Sequence, residues 1–194
     1  MANFKKLIGE RCYLSPCSRE EAEKWTEWDN DLEIAIPLGD EAYTSYTLEK
    51  MQDILDEVSK HQSQIFSIVN LETEAPIGRC LLFNIDHVNR QATLGIVIGE
   101  KEYWGKGYGQ DAVKLLVDYG FNLLNLNSIM IGTYSFNERA QACFRKAGFK
   151  EVGRRREARI IGEKKFDLVL MDMLANEFDS PYVVQFIDQR PKEK

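Results

Sequence analysis

The sequence predicts one α+β domain, a strand-rich middle bracketed by amphipathic helices, and three observations carry that reading. Between residues 65 and 98, three apolar runs are separated by Glu72-Thr73-Glu74-Ala75-Pro76 and by Asp86-His87-Val88-Asn89-Arg90, the turn-punctuated pattern of a meander. On either side of it, apolar residues recur at three- and four-residue spacing, as in helices that bury one face. The 194 residues carry no repeat and no low-complexity linker, and a single domain of that size buries roughly 70% of its unfolded surface.

Taken in order, Arg11-Cys12-Tyr13-Leu14-Ser15 reads as a first strand. Ser18-Arg19-Glu20-Glu21 is a capping-box signature opening a helix to about Trp28. Asp29-Asn30-Asp31 and Ile36-Pro37-Leu38-Gly39-Asp40 read as loop. Thr47 opens a second helix carrying Leu48, Met51, Leu55 and Val58 on one side. The meander strands follow as Ile65 to Leu71, Ile77 to Ile85 and Ala92 to Ile98. After a glycine-rich loop comes a helix with Ala112, Val113, Leu116, Val117 and Phe121 on one face. Then come a strand (Ser128 to Tyr134), a helix (Asn137 to Lys146) with Gly148 at its C-cap, and two strands turning at Gly162-Glu163. The domain is expected to span residues 1–176. In the tail, 177–194, Tyr182 to Ile187 is apolar enough to dock on a sheet edge or a partner.

Composition narrows the function. A net charge of −6 and a pI near 5.1 argue against a broad nucleic-acid-binding face, which needs a basic stripe. Cys12, Cys17, Cys80 and Cys143 form no C-x-x-C pair, and with His61 and His87 they give no zinc-ligand spacing, so no metal is expected. No long apolar stretch follows Met1-Ala2-Asn3-Phe4-Lys5-Lys6, and a cytoplasmic protein without membrane contact is the expectation.

The densest signal is Tyr103-Trp104-Gly105-Lys106-Gly107-Tyr108-Gly109-Gln110, set between the strand ending at Ile98 and the following helix. Strand, glycine turn and helix start together offer unpaired N–H groups and the positive end of a helix dipole to an anion. The spacing G-x-G-x-G is neither the dinucleotide G-x-G-x-x-G nor a P-loop. A glycine turn without a ligand stays open on the loop alone.

A second segment, Asn137-Glu138-Arg139-Ala140-Gln141-Ala142-Cys143-Phe144-Arg145-Lys146-Ala147-Gly148-Phe149, changes the balance. Together the two segments resemble the GNAT superfamily of acetyl-CoA-dependent N-acetyltransferases, whose loop reads Gln/Arg-x-x-Gly-x-Gly/Ala and whose later segment reads Asn-x-x-Ala-x-x-x-Tyr-x-Lys-x-Gly-Phe. Trp104 and Phe144 depart from that pattern. The resemblance covers about residues 8 to 174. The Trp-Gly-Lys-Gly-Tyr loop, the Ile85 to Arg90 turn and Asn122-Leu123-Leu124-Asn125-Leu126 are most similar to the Rim-type and polyamine acetyltransferase branch.

The resemblance implies a mixed, mostly antiparallel sheet splayed between its fourth and fifth strands, with helices on both faces. It implies acetyl-CoA as co-substrate. Ile96, Val97 and Ile98 would pair with the pantetheine arm, and N–H groups from Gly105 through Lys106, Gly107, Tyr108 and Gly109 to Gln110 would hold the pyrophosphate beside Trp104. Asn137 would bond the arm or cap its own helix, and Phe144 would wall the channel or simply fill the core. Family hydroxyls are missing at Phe144 and Ala140, which leaves Tyr134 as candidate acid and Glu100 as candidate base through water. Trp28, Asp29, Asp31, Glu33 and Tyr43 offer aromatic walls and carboxylates for a cationic amine. The expected activity is acetyl transfer to a primary amine (polyamine, protein N-terminus, antibiotic or other small amine), with a non-catalytic acyl-CoA sensor as alternative. Expected partners are the small-molecule or peptide acceptor and a second copy in a homodimer.

Overall fold

The computed structural model describes residues 3–60 and 64–187; His61 and the tail beyond Ile187 lie outside them. Strands β1 (Leu7–Ile8), β2 (Cys12–Pro16), β3 (Gln64–Asn70), β4 (Pro76–Asp86), β5 (Gln91–Ile98), β6 (Ser128–Tyr134), β7 (Lys150–Ile161) and β8 (Lys164–Leu174) form one sheet in the order β1-β2-β3-β4-β5-β6-β8-β7. Every neighbouring pair is antiparallel except β5 and β6. The fold is α+β with a mixed, mostly antiparallel sheet, as the sequence implied. The two-residue β1 is too short to announce itself, and it moves the parallel pair from fourth and fifth to fifth and sixth.

Helices lie on both faces. Side chains alternate across a strand, and β5 shows the division: Ile96 and Ile98 pack with the larger core, Val97 with the smaller. The larger core is built against α4 (Tyr108–Asp118) and α5 (Glu138–Ala147), around Val113, Leu116, Phe121 and Phe144. The smaller gathers α1 (Ala22–Asn30), α2 (Leu32–Leu38) and α3 (Leu48–Lys60) around Trp25, Trp28, Ile34, Met51 and Leu55.

Local structure departs from the sequence reading in three places, and one is that Asp29 and Asn30, read as loop, are the last residues of α1. Ser18 makes no capping bond, and its hydroxyl is buried without a partner among the described residues. Glu21 turns inward instead and accepts from the Ser67 hydroxyl, and α1 starts only after a 3₁₀ turn, Arg19–Glu21. The loop expected at Ile36-Pro37-Leu38 is the second half of α2, whose N-cap Asp31 accepts from the Glu33 N–H at 2.9 Å. Pro37 signals a break but stands only in the last turn. Thr47 does cap α3, its hydroxyl accepting from the Lys50 N–H, and Gly148 closes α5 at φ 111°.

The tail folds back. A carboxylate oxygen of Asp118 accepts the N–H groups of Tyr182 and Val183, both carboxylate oxygens bond the Ser180 hydroxyl, and Val183 enters the larger core. The Tyr182 hydroxyl donates to Asp111, which also accepts the N–H groups of Glu10, Arg11 and Cys12 and so pins α4 to the start of β2. The described part of the tail thus docks on α4 rather than on a sheet edge.

Candidate active site

The parallel pair is joined only at its start, Gln91 to Thr93 against Ser128 to Met130. From Leu94 onward no described strand pairs with β5 on that side, while β6 remains paired with β8 to its end at Tyr134. The strands therefore splay, and a cavity of about 280 Å³ opens at the gap. It is lined by Ile96, Val97 and Ile98, by the glycine loop, by α5 from Asn137 to Lys146, and by Ile34, Pro37 and Leu38 of α2.

Alternation of the ladder decides which groups face the gap. The Gly99 N–H bonds Ile77 of β4, so the amides of Ile96 and Ile98 point the other way. At the end of the gap the Trp104 indole donates to the Ile98 carbonyl at 2.6 Å, where a pairing strand would otherwise donate. Over that indole lies the Arg139 guanidinium, 3.6 Å from the ring centroid. Burial holds the Arg139 pKa below its ordinary value, with Glu33 acting in the opposite sense.

The loop then turns through Gly107, the N-cap of α4, at φ 89°. That left-handed backbone suits glycine, and a Cβ there would meet Arg11 Nε at 3.1 Å. The first bond within the helix runs from the Asp111 N–H to the Gly107 carbonyl. The N–H groups of Tyr108, Gly109 and Gln110 consequently have no acceptor inside the helix and present a positive helix end to the cavity. Arg139 and Lys146 add side-chain cations to its wall.

Of the residues expected at the cofactor, Ile96, Val97, Ile98, Trp104, Gly105, Gly107, Gly109, Gln110, Asn137 and Phe144 all line this one cavity. Lys106 is exposed outside it. The Tyr108 side chain packs edge-on against Tyr103, with ring centroids 5.0 Å apart, and its hydroxyl accepts from Asn70. Asn137 caps α5 through the Ala140 N–H at 3.1 Å. Cys143 also lines the cavity, and burial pushes its thiol up to about 11, so it stays protonated and unreactive at neutral pH.

The residues expected at the amine are arranged otherwise. Trp28 is buried against the backbone of Gly99, where an added Cβ would fall 2.1 Å from the indole. Asp29 is buried on Arg79 at 2.6 Å, and the Trp25 ring lies 4.6 Å from that guanidinium. Asp31 and Glu33 both hold Lys101, at 2.7 and 2.6 Å. The Lys101 hydrogen bond is the main cause that keeps Asp31 below the usual carboxylate range. Glu100 is ion-paired with Lys24, outside the cavity. Tyr134 stands at the end of β6 beside Phe136 and does not line the cavity, and Tyr43 is exposed.

Sequence reasoning missed Arg139, the α2 wall and Arg159. Arg159 is the buried member of an otherwise exposed basic run on β7. The strand register shifts between Arg155 and Arg159, with Glu157 at φ 48°, so period-two alternation did not foretell which face it takes.

A splayed parallel pair, a strand edge left open and a positive helix end beside it define an acyl-CoA-dependent acetyltransferase domain. Residues 11–150 match the family described as Acetyltransferase (GNAT) domain, and the chain belongs to that family. It is 33% identical over 140 residues to spermidine N(1)-acetyltransferase of Escherichia coli, covering 72% of this chain and 73% of that one. It is 29% identical over 177 residues to the N-acetyltransferase p20 of Bacillus licheniformis, covering 90% and 99%. Among solved structures, spermidine N-acetyltransferase of Vibrio cholerae with CoA and spermine superposes at a TM-score of 0.78, with 22% identity over 86% of this chain and 96% of that one. The protein is an acetyl-CoA-dependent N-acetyltransferase. No described helix is long and apolar enough to cross a membrane.

Proposed function

We propose that the chain transfers the acetyl group of acetyl-CoA to a primary amine of a small molecule or peptide by direct attack of the amine on the thioester. One observation carries this reading most: the open edge of β5 at Ile96 and Ile98 enters the same cavity as the unpaired N–H groups that begin α4. Acetyl-CoA supplies the activated acyl group when bound. The chain's own part is to pair that edge with the pantetheine amides, by the logic of strand addition, and to hold the pyrophosphate on N–H groups from Gly105 to Gln110. The Ile98 N–H is the donor for charge developing on the carbonyl oxygen. Tyr134, the acid expected from the sequence, stands outside the cavity, so the thiolate departs without its help; a thiol of pKa about 8.5 leaves tolerably, and the missing acid costs rate rather than all activity.

A second reading, a non-catalytic acyl-CoA sensor, draws on one observation: the cavity wall carries Phe144 and Ala140 where the family resemblance led one to expect hydroxyls, and neither Tyr134 nor Glu100 lines it. Mass spectrometry of acetyl-CoA incubated with a panel of amines separates the two. The panel includes spermidine, after the relatives' names, together with aminoglycosides, amino acids and peptide N-termini. Acetylated product that depends on the protein supports the transferase. Binding of acetyl-CoA with no product from any class supports the sensor.

A further inference from the structure

One buried cation near the cavity lacks its full set of partners among the described residues. All three carboxylates that the sequence offered to a cationic acceptor are taken, Asp29 by Arg79 and Asp31 with Glu33 by Lys101. Arg159, in contrast, is only 4% exposed and has two nitrogens, Nε and Nη2, without a hydrogen-bond partner among the described residues. Its third nitrogen, Nη1, donates to the Gly39 carbonyl at 2.8 Å. The rings of Tyr43 and Tyr134 lie 4.8 and 4.7 Å from the guanidinium carbon. Ring faces stabilise a buried cation in part, but they satisfy no N–H group, and unpaired buried donors are costly.

The two vacant nitrogens are not an arbitrary pair. Nε–H and Nη2–H form one edge of the guanidinium plane, the fork whose spacing matches the two oxygens of a carboxylate. Position agrees with chemistry. Gly39 follows Leu38 of the cavity wall, and Tyr134 ends β6, the far lip of the splay. Arg159 thus joins the α2 side of the gap to the β6 side, and the exposed Tyr43 ring lies against its guanidinium.

We infer that Arg159 is the carboxylate receptor of the acceptor site, so that the amine acetylated here carries a carboxylate and is not a bare polycation. This rests on the transferase reading and narrows it to amino acids and acidic peptides.

The test uses acceptors matched except for one carboxylate: lysine against 1,5-diaminopentane, and peptides with Asp against Asn at successive positions after the N-terminus. Acetylation of each is measured with the wild type, Arg159→Lys and Arg159→Gln. In at least one pair the wild type should favour the carboxylate by about tenfold or more in kcat/KM, the scale of a charge-assisted bond. Both variants should bring the ratio between the two members of that pair to about one. Arg159→Lys matters because it keeps the charge and removes the fork. A wild type indifferent to the carboxylate in every pair, or variants that lose both members equally, would overturn the inference and leave Arg159 as a staple between α2 and the last hairpin. Equilibrium titration of the same compounds keeps the two readings apart. Carboxylate-dependent binding that Arg159→Lys abolishes supports the receptor even if nothing is acetylated, a result that would sink only the transferase reading.

Discussion

The Trp104 indole nitrogen donates to the Ile98 carbonyl at 2.6 Å, which ties the glycine loop to the last residue of the strand it follows. The same ring lies under Arg139, so one side chain closes the end of the gap and seats a cation in the cavity wall. Trp104→Phe keeps a ring for Arg139 and removes the N–H. It should weaken acetyl-CoA binding about fivefold, the worth of one hydrogen bond of about 1 kcal/mol. Trp104→Ala should weaken it further, because Arg139 loses its seat as well. Calorimetric titration checks both, and equal affinity in Trp104→Phe would remove the indole bond from the account.

The loop glycines should separate by mechanism. Gly107 sits at φ 89°, so Gly107→Ala strains the backbone and should cost stability on the order of 1 kcal/mol as well as affinity. Gly109 is helical, and an added Cβ would meet only Cys143 Sγ at 3.5 Å and Ile98 Cγ1 at 3.7 Å, ordinary contacts. Gly109→Ala should therefore fold as the wild type does and lose acetyl-CoA affinity alone. Thermal melts beside titrations distinguish the two, and a Gly109→Ala variant that binds normally would show that nothing approaches that backbone.

Asp29 is predicted to matter for the fold. Asp29→Asn leaves the Arg79 guanidinium buried without its counter-charge, and one Arg79 nitrogen already lacks a partner among the described residues. Breaking a buried pair from one side typically costs about 3–5 kcal/mol. Denaturant unfolding should show that loss, while the KM for amine in the folded protein stays put. A raised amine KM at unchanged stability would instead make Asp29 a substrate contact.

Glu21 gives a pH dependence with a definite sign. Burial raises its pKa above the ordinary 4.5, outweighing the Ser67 bond that favours the ionised form. A raised folded-state value means that the fold binds this proton more tightly than the open chain does. The associated stability is present below about pH 4.5 and is lost as pH rises through the folded value. Glu21→Gln, neutral throughout, should melt higher than the wild type at pH 7, by a margin that shrinks toward pH 4. A variant that melts lower at pH 7 would mean that the ionised carboxylate is the stabilising form.

Much of this architecture was legible in the sequence because periodicity and turn chemistry are local. The meander, α3 behind Thr47, α5 with its Gly148 cap and the cradle from Gly105 to Gln110 all follow from neighbours within one turn. What was hidden depends on partners far along the chain. Ser18 and Glu21 spell a capping box, yet Glu21 is drawn to Ser67 of β3. Pro37 and Gly39 spell a loop, yet Asp31 caps a helix that reaches them. Asp29, Asp31 and Glu33 look like an amine-binding cluster until Arg79 and Lys101 arrive from β4 and the 3₁₀ turn Lys101–Tyr103. Arg159 was concealed by the register shift before it.

The open edge of β5 is the proposed seat of acetyl-CoA, and amide hydrogen exchange with and without acetyl-CoA reads that edge directly. The amides of Ile96 and Ile98, which have no strand partner across the splay, should become strongly protected together with those from Gly105 to Gln110. The Val97 amide, already turned toward β4, should change little. Protection confined to other elements, or a β5 edge that exchanges equally fast in saturating acetyl-CoA, would contradict the assignment of this gap as the acyl-transfer site.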